Sequence, residues 1–293
     1  MDLIVKVKSY RNLDNYIKMG ANAFLFGIKD FSINSLTNLN IRKLKKIKDK
    51  YKNIKIYISV DKNMFNKDLD KLTKFLINVD NLNLDGIFFY DLGIYYIKEK
   101  YNLKTPLVWN QNYFVNNYET CNYYYSKGIK YGVISNEITK EEIEKIVKNT
   151  KMNMFINTFG YQMMSYSKRK LVSNYFRFLK RLNFKKYHKL IENKRTFIIK
   201  EEKCGTCFLS DYVLCYVNYL NYFKSIGVKG VILNEELIDK DIFLNIIKMY
   251  KENIDDENNY YDKIKTLIPN IDLGFLNTKT IYKVKTRWLS WKK

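Results

Sequence analysis

Carboxylates and amides recur directly after short apolar runs: Asp30, Asp61 with Asn63, Asp91, Asn110-Gln111-Asn112, Asn136-Glu137, Asn157-Thr158, Glu201-Glu202 and Asn234-Glu235. Gathered into a ring, such groups could coordinate Mg²⁺ or hydrogen-bond a polar small molecule or a nucleobase. Taken singly, each is also what a strand-to-helix loop uses to cap the helix that follows. The ring as a whole favours a polar pocket.

The lone histidine, His188, sits among lysines in FKKYHKL and reads as a solvated surface residue. A single histidine argues against His-rich zinc sites and against Ser-His-Asp or Cys-His catalytic pairs. The four cysteines are Cys121, Cys204, Cys207 and Cys215. Cys204-Gly-Thr-Cys207 has the spacing of a metal knuckle or a redox pair, but no second such pair accompanies it. A four-cysteine cluster would need the helix bearing Cys121 to meet this loop, and buried thiols acting as small hydrophobes are the favoured reading.

A denser signal lies between Lys168 and Arg195, where eleven Lys/Arg and one acidic residue, Glu192, occupy 28 positions. Tyr175, Phe176, Phe178, Phe184 and Tyr187 are interleaved with these charges. Cations for phosphates beside rings for bases are what RNA binding requires. An amphipathic helix with core aromatics and solvated lysines would have the same composition.

The elements that position these residues follow one rhythm: an apolar run, a polar turn, then an amphipathic charged stretch. The apolar runs are Leu3–Val7, Ala23–Ile28, Ile54–Val60, Gly86–Tyr90, Pro106–Trp109, Gly132–Ser135, Met152–Asn157, Thr196–Lys200 and Gly230–Leu233. Most lack two-residue alternation, as expected of parallel strands covered on both faces. Helical spacing marks Asn40–Lys52, Lys67–Val79 and Lys140–Lys148, and Gly20, Gly128 and Gly227 stand where helices turn back toward a sheet. This many β-α units predict an α/β fold closed into a (β/α)₈ barrel, with an open doubly wound sheet as the alternative. No glycine-rich phosphate loop follows any strand to support the open sheet. We expect the barrel to span residues 1–253 and to carry a basic helical insertion over about 161–195. Residues 254–293 are expected to form an acidic linker and a small C-terminal appendage.

At 293 residues with 46% hydrophobic content, the chain can bury a full core. Its net charge of +22 follows from 52 Lys+Arg against 30 Asp+Glu. Lys, Asn, Ile, Tyr and Phe have AT-rich codons, so charge argues for an anionic partner only where it is locally concentrated. No apolar run reaches the length of a membrane span, and four cysteines make no disulfide scaffold. A cytoplasmic location without membrane contact is expected.

The segment MNMFINTFGYQMMSYSKRKLVSNYF, residues 152–176, resembles the signature region of the collagenase-like peptidase family U-32. GANAFLFG, IKIYISVDKNMFN, LDGIFFYDLG, NYETCNYYYSKG, VISNEITKEEI, EEKCGTCFLSDYVLC and DLGFLNTKTIYKVK agree with further segments of that family in order. The resemblance implies a barrel and one of two activities: collagenase-like peptidase, or hydroxylation of uridine in transfer RNA or cytidine in ribosomal RNA. It also implies an iron-sulfur cluster on four cysteines, but two of those positions fall on Met163 and Lys170, and the family's histidine on Phe159. Thioether and ammonium groups cannot stand in for thiolates. No cofactor is therefore expected in this chain, and a paralogous chain of the same family, paired with it as a hetero-oligomer, would supply one.

Three functions follow as expectations. The first is a subunit or accessory chain in RNA hydroxylation, the second a collagenase-like peptidase, and the third a non-enzymatic RNA-binding partner of a cluster-bearing paralogue. Under the first, Asp91, Gln111, Glu137, Tyr166, Arg169 and Glu201 contact substrate, with Arg169 pairing an anionic group. Lys168, Arg177, Lys180, Arg181, Lys185 and Lys186 contact RNA phosphates.

Overall fold

Eight parallel strands close on one another in the computed structural model, which describes residues 1–111 and 114–279. In chain order the first seven are β1 (Asp2–Lys6), β2 (Ala23–Gly27), β3 (Lys55–Val60), β4 (Gly86–Phe89), β5 (Leu107–Trp109), β6 (Tyr131–Ile134) and β7 (Asn153–Ser167). Three strands outside the ring follow, β8 (Tyr187–Glu192), β9 (Arg195–Glu202) and β10 (Gly205–Cys215), before β11 (Gly230–Asn234) completes it. β11 pairs with β1 through Asp2↔Gly230 and with β7 through Gly230↔Phe155, so the barrel is shut, as the repeated β-α units predict.

Around it lie α1 (Leu13–Lys18), α2 (Ile41–Lys50), α3 (Leu69–Asp80), α4 (Gly93–Lys100), α5 (Tyr118–Ser126) and α6 (Lys140–Asn149). After α7 (Leu171–Phe178), outside the barrel, come α8 (Leu220–Ile226), α9 (Lys240–Asp255) and α10 (Tyr261–Leu267). α6 shows the local logic. Thr139 caps it by accepting from the Glu142 N–H, Glu141 and Glu142 sit in the positive first turn, and Ile143 and Ile146 face the sheet. Gly20, Gly128 and Gly227 take φ of +106°, +85° and +102° at helix-to-strand joints.

Strand periodicity divides the core in two. Residues pointing outward, such as Phe24, Ile56, Phe89 and Trp109, pack under the helices. Those pointing inward (Ile4, Ala23, Leu25, Tyr57, Phe88, Val108, Val133, Phe155 and Ile232) fill the barrel. Tyr57, Phe88 and Phe155 form an aromatic plug with ring centroids 5.4–6.0 Å apart.

The segment between β7 and α8 corrects two expectations. Helix forms only over Leu171–Phe178; most of the remainder is antiparallel sheet. The run Thr196–Lys200, expected among the barrel strands, is the heart of β9. β7 is 15 residues long: its first half lines the barrel and its second half leaves to pair with β10, from Phe159↔Cys215 to Ser167↔Thr206. Gly160 makes that exit possible, since it has φ +109° and a Cβ there would lie 2.6 Å from the Asn234 carbonyl oxygen. β8 and β9 join through Asn193 and Lys194, both at positive φ (49° and 65°), the turn handedness a tight hairpin needs.

At the C-terminal end, β12 (Ile271–Asp272) adds to β10, and the Leu276 carbonyl accepts from the Lys140 N–H at the start of α6. The expected appendage beyond residue 279 lies outside the described residues. Among the described residues no helix is long and apolar enough to cross a membrane.

Candidate functional site

The inward face of seven of the eight barrel strands changes character toward the C-terminal end, β2 being the exception with Gly27. Two residues beyond the apolar Ile4, Tyr57, Phe88, Val108, Val133, Phe155 and Ile232 stand Lys6, Ser59, Tyr90, Asn110, Ser135, Asn157 and Asn234. These seven line a cavity of about 260 Å³ at the barrel mouth, and Leu25, Phe88 and Ile232 are its floor. The outer sheet supplies one wall: Tyr161 to Met164 from β7, Arg195 from β9, and Ser210 and Tyr212 from β10.

The amides at the mouth are fixed by one another. Asn136 Nδ2 donates to the Asn157 carbonyl (2.8 Å) and Asn157 Nδ2 returns to Asn136 Oδ1 (3.1 Å). Asp61 Oδ1 accepts from the Ile33 N–H at 2.8 Å, tying β3 to the loop after β2. Lys6 Nζ donates to the Asn34 carbonyl (2.9 Å). Burial pulls its ammonium below the usual lysine range, against the pull of Asp61 and Glu236. Burial also lifts the Glu137 carboxyl above the ordinary range. Arg195 is held bidentately by Asp211 at 2.6 and 2.7 Å.

The expected ring is thus partly assembled. Asp61, Asn110, Asn136, Glu137, Asn157 and Asn234 line the cavity, whereas Asp30, Asp91, Gln111, Glu201, Glu202 and Glu235 do not; Asn112 is outside the described residues. Asp91 accepts from the Met64 and Gly93 N–H groups, both at 2.8 Å, as a loop cap. Gln111 bridges Trp109 Nε1 and the Tyr90 carbonyl, bracing the rim from behind. Glu201 caps α7, accepting from the Val172 and Ser173 N–H groups and both the Ser173 and Thr206 hydroxyls. Tyr166 OH donates to the Cys204 carbonyl at 2.6 Å and borders a second hollow beside the mouth. Arg169 is exposed on the turn before α7, away from the cavity. Of the six expected substrate contacts, only Glu137 lines the main cavity.

The basic segment is surface. Lys168, Arg177, Lys180, Arg181, Lys185 and Lys186 are all exposed, with Lys186 paired to Glu202 at 2.7 Å. So are Tyr175, Phe178 and Phe184, at 59%, 82% and 89%. These three rings are therefore not the core of an amphipathic helix, whereas Phe176 and Tyr187 are half-buried. His188 sits on β8 against Phe176, its Nε2 3.0 Å from the Lys185 carbonyl.

Sequence reasoning missed two lysines. Lys6 lies within the apolar run Leu3–Val7 and Lys200 ends the run Thr196–Lys200, and a lysine beside such apolar neighbours was their signal. Lys200 Nζ, fully buried, reaches Glu236 Oε1 at 2.7 Å, the Ser35 carbonyl at 3.1 Å and Glu202 at 3.4 Å, while Tyr187 OH donates to the same Glu236 oxygen at 3.0 Å. This network bolts the outer sheet to the loops after β2 and β11.

The thiols are dispersed. Cys121 packs under the sheet on α5, Cys215 ends β10 beside Tyr250, and Cys204 and Cys207 flank the β9–β10 turn, all four free. Among the described residues no three His, Cys, Asp or Glu side chains gather to hold a metal. Met163 lines the cavity, Lys170 is exposed before α7 and Phe159 is buried. At two of the positions where a four-cysteine cluster would need thiolates, Met163 and Lys170 thus offer a thioether and an ammonium.

A closed parallel barrel whose C-terminal mouth is polar and walled by an inserted antiparallel sheet defines a (β/α)₈ protein with a polar cavity at the C-terminal ends of its strands. Residues 8–282 match peptidase family U32, and the chain belongs to that family. It is 24% identical to the tRNA hydroxylation protein P2 of Bacillus subtilis, over 96% of this chain and 99% of that one. An uncharacterized protease of Methanocaldococcus jannaschii is 23% identical over 90% of this chain and 68% of its own. A thiamine phosphate pyrophosphorylase from Pyrococcus furiosus overlaps 86% of this chain and 94% of that one with a TM-score of 0.45 and 12% identity, too slight to bear on the site.

Proposed function

We propose that this chain acts in RNA modification in the cytoplasm, as a subunit or accessory chain for hydroxylating uridine in transfer RNA or cytidine in ribosomal RNA. The observation that carries the reading is the outer sheet itself. It walls a polar cavity on one side and, on α7 and the turn after it, exposes cations beside Tyr175, Phe178 and Phe184 on the other. Lys168, Arg177, Lys180, Arg181 and Lys185 contact phosphates and the rings stack on bases. A nucleotide then reaches the mouth, where Asn110, Asn136, Asn157 and Glu137 offer donors and acceptors to its base edge. The name of the Bacillus relative supports a transfer-RNA substrate. The redox chemistry comes from a partner, a cluster-bearing chain of the same family.

Nucleoside mass spectrometry of total RNA from cells with and without the gene tests this. Loss of a uridine or cytidine species one oxygen heavier supports the reading. An unchanged profile overturns it and leaves the peptidase, for which the name of the Methanocaldococcus relative speaks and which peptide-cleavage assays decide.

A further inference from the structure

Beside the mouth, the loops after β2 and β3 and the β9–β10 turn enclose an open cleft of about 320 Å³ with Lys62, Lys67, Lys71, Lys168 and Lys203 on its walls. Only Asp30 and Asp68 oppose them, so five cations face two anions, a net +3 (5 − 2). Asp30 takes Lys71 at 2.7 Å and Lys203 at 2.8 Å, and these partners hold its carboxyl down to about 2. Asp68 takes Lys62 at 3.0 Å. Among the described residues Lys67 and Lys168 have no carboxylate partner. Instead they flank the Phe65 ring, their ammonium groups 5.7 and 3.9 Å from its centroid, and that ring is 48% exposed.

The cleft abuts, through one hydrogen bond, a hollow that opens into the mouth. The intermediate hollow shares Ile33, Asp61, Tyr90, Met163 and Met164 with the main cavity. It also carries Tyr166, whose hydroxyl bonds the carbonyl of Cys204 on the lysine cleft wall. The main cavity and the intermediate hollow are thus continuous, whereas the lysine cleft shares no lining residue with them and meets them at the Tyr166–Cys204 contact. An isolated exposed phenylalanine is ordinary surface. One bracketed by two uncompensated cations, in a cleft beside the hollow that opens into a polar cavity, matches the pairing of phosphate and base that single-stranded nucleic acid presents.

We propose that this cleft seats the RNA strand next to the nucleotide at the mouth, with phosphates on Lys67 and Lys168 and one base stacked on Phe65. The inference rests on the RNA-modification reading but concerns residues outside the basic insertion, apart from Lys168. Full-length chain is titrated into fluorescein-labelled bulk transfer RNA, with anisotropy read across a salt series. Lys67→Gln lowers the slope of log K against log salt by about one, and Phe65→Ala weakens binding about fivefold or more at every salt with the slope unchanged. Both sites are exposed, and unchanged thermal melting confirms folding. Wild-type affinity and slope in both variants, while Lys180→Glu with Arg181→Glu weakens binding, overturns the cleft and leaves the insertion as the RNA contact. No effect from either set, or no binding by the wild type, overturns both.

Discussion

Lys200 of β9 and Glu236, just past β11, meet at 2.7 Å with neither side chain exposed to solvent. Burial works against the ammonium, and Glu236 with Glu202 outweighs it, so Lys200 keeps its proton above the usual lysine range. The folded-state value is raised, so the stabilisation is complete through neutral pH and is lost only as pH rises through that elevated value.

Lys200→Met leaves Glu236 buried without its cation and is expected to cost about 3–5 kcal/mol in urea unfolding. Pairing it with Glu236→Leu removes both charges and recovers most of that loss. A double variant no better than the single one would show that Tyr187 and Ser35, not the ion pair, join the two sheets.

The exposed cations of the insertion give a salt-dependent prediction. Reversing Lys180, Arg181 and Lys185 to Glu should flatten the salt dependence of RNA binding by about 2–3 in log–log slope. Unfolding stability should stay within about 0.5 kcal/mol of the parent. Lys186 is omitted because Glu202 already holds it.

Glu201 sets the pH response of α7. Burial would raise its carboxyl, but hydrogen bonds from Ser173, Thr206 and Val172 prevail and hold it below the usual range. The folded-state value is depressed, so the cap stabilises above the unfolded value, about 4.3, and weakens as pH falls below it. Glu201→Ala is expected to cost about 1–2 kcal/mol locally. Amide-exchange protection over Leu171–Phe178, taken relative to the intrinsic rate at each pH, measures it: low protection in the variant at neutral pH, and in the parent only in acid.

Thiol labelling separates the cysteines. Burial pushes Cys121 and Cys207 up to about 12 and Cys215 to about 11. Cys204, raised also but partly exposed, should be the first to take iodoacetamide, at a rate still climbing above pH 9. Mass mapping that found Cys121 labelled first would mean that α5 opens from the barrel.

The barrel was legible because eight of the nine apolar runs are its strands, and their covered faces leave the same mark wherever they occur. The outer sheet was harder to read. Tyr161–Ser167 carries weak alternation, and Asn193-Lys194 lacks the glycine that usually announces a tight hairpin. Gly205, set between two β-branched and aromatic runs, is the signal of the β9–β10 hairpin, and it lies inside the Cys204–Cys207 spacing that a metal knuckle or redox pair would share. Asp91, Gln111 and Glu201 occupy strand-end or loop positions as expected but are spent on caps and braces. Which polar group faces a cavity and which turns back to an amide depends on a side-chain direction that spacing alone does not encode.

The order of the strands along the chain shapes how the protein must be made. β1 finds its second neighbour only in β11, more than two hundred residues later, and everything from Tyr161 to Cys215 intervenes. During synthesis the first seven strands emerge as a curved sheet with two unsatisfied edges, β1 and β7, each able to pair with another nascent chain. β10, emerging before β11, covers the outer half of β7. The inserted sheet therefore shortens that open edge before the ring closes, while Phe155, Ile156 and Asn157 wait for the last strand.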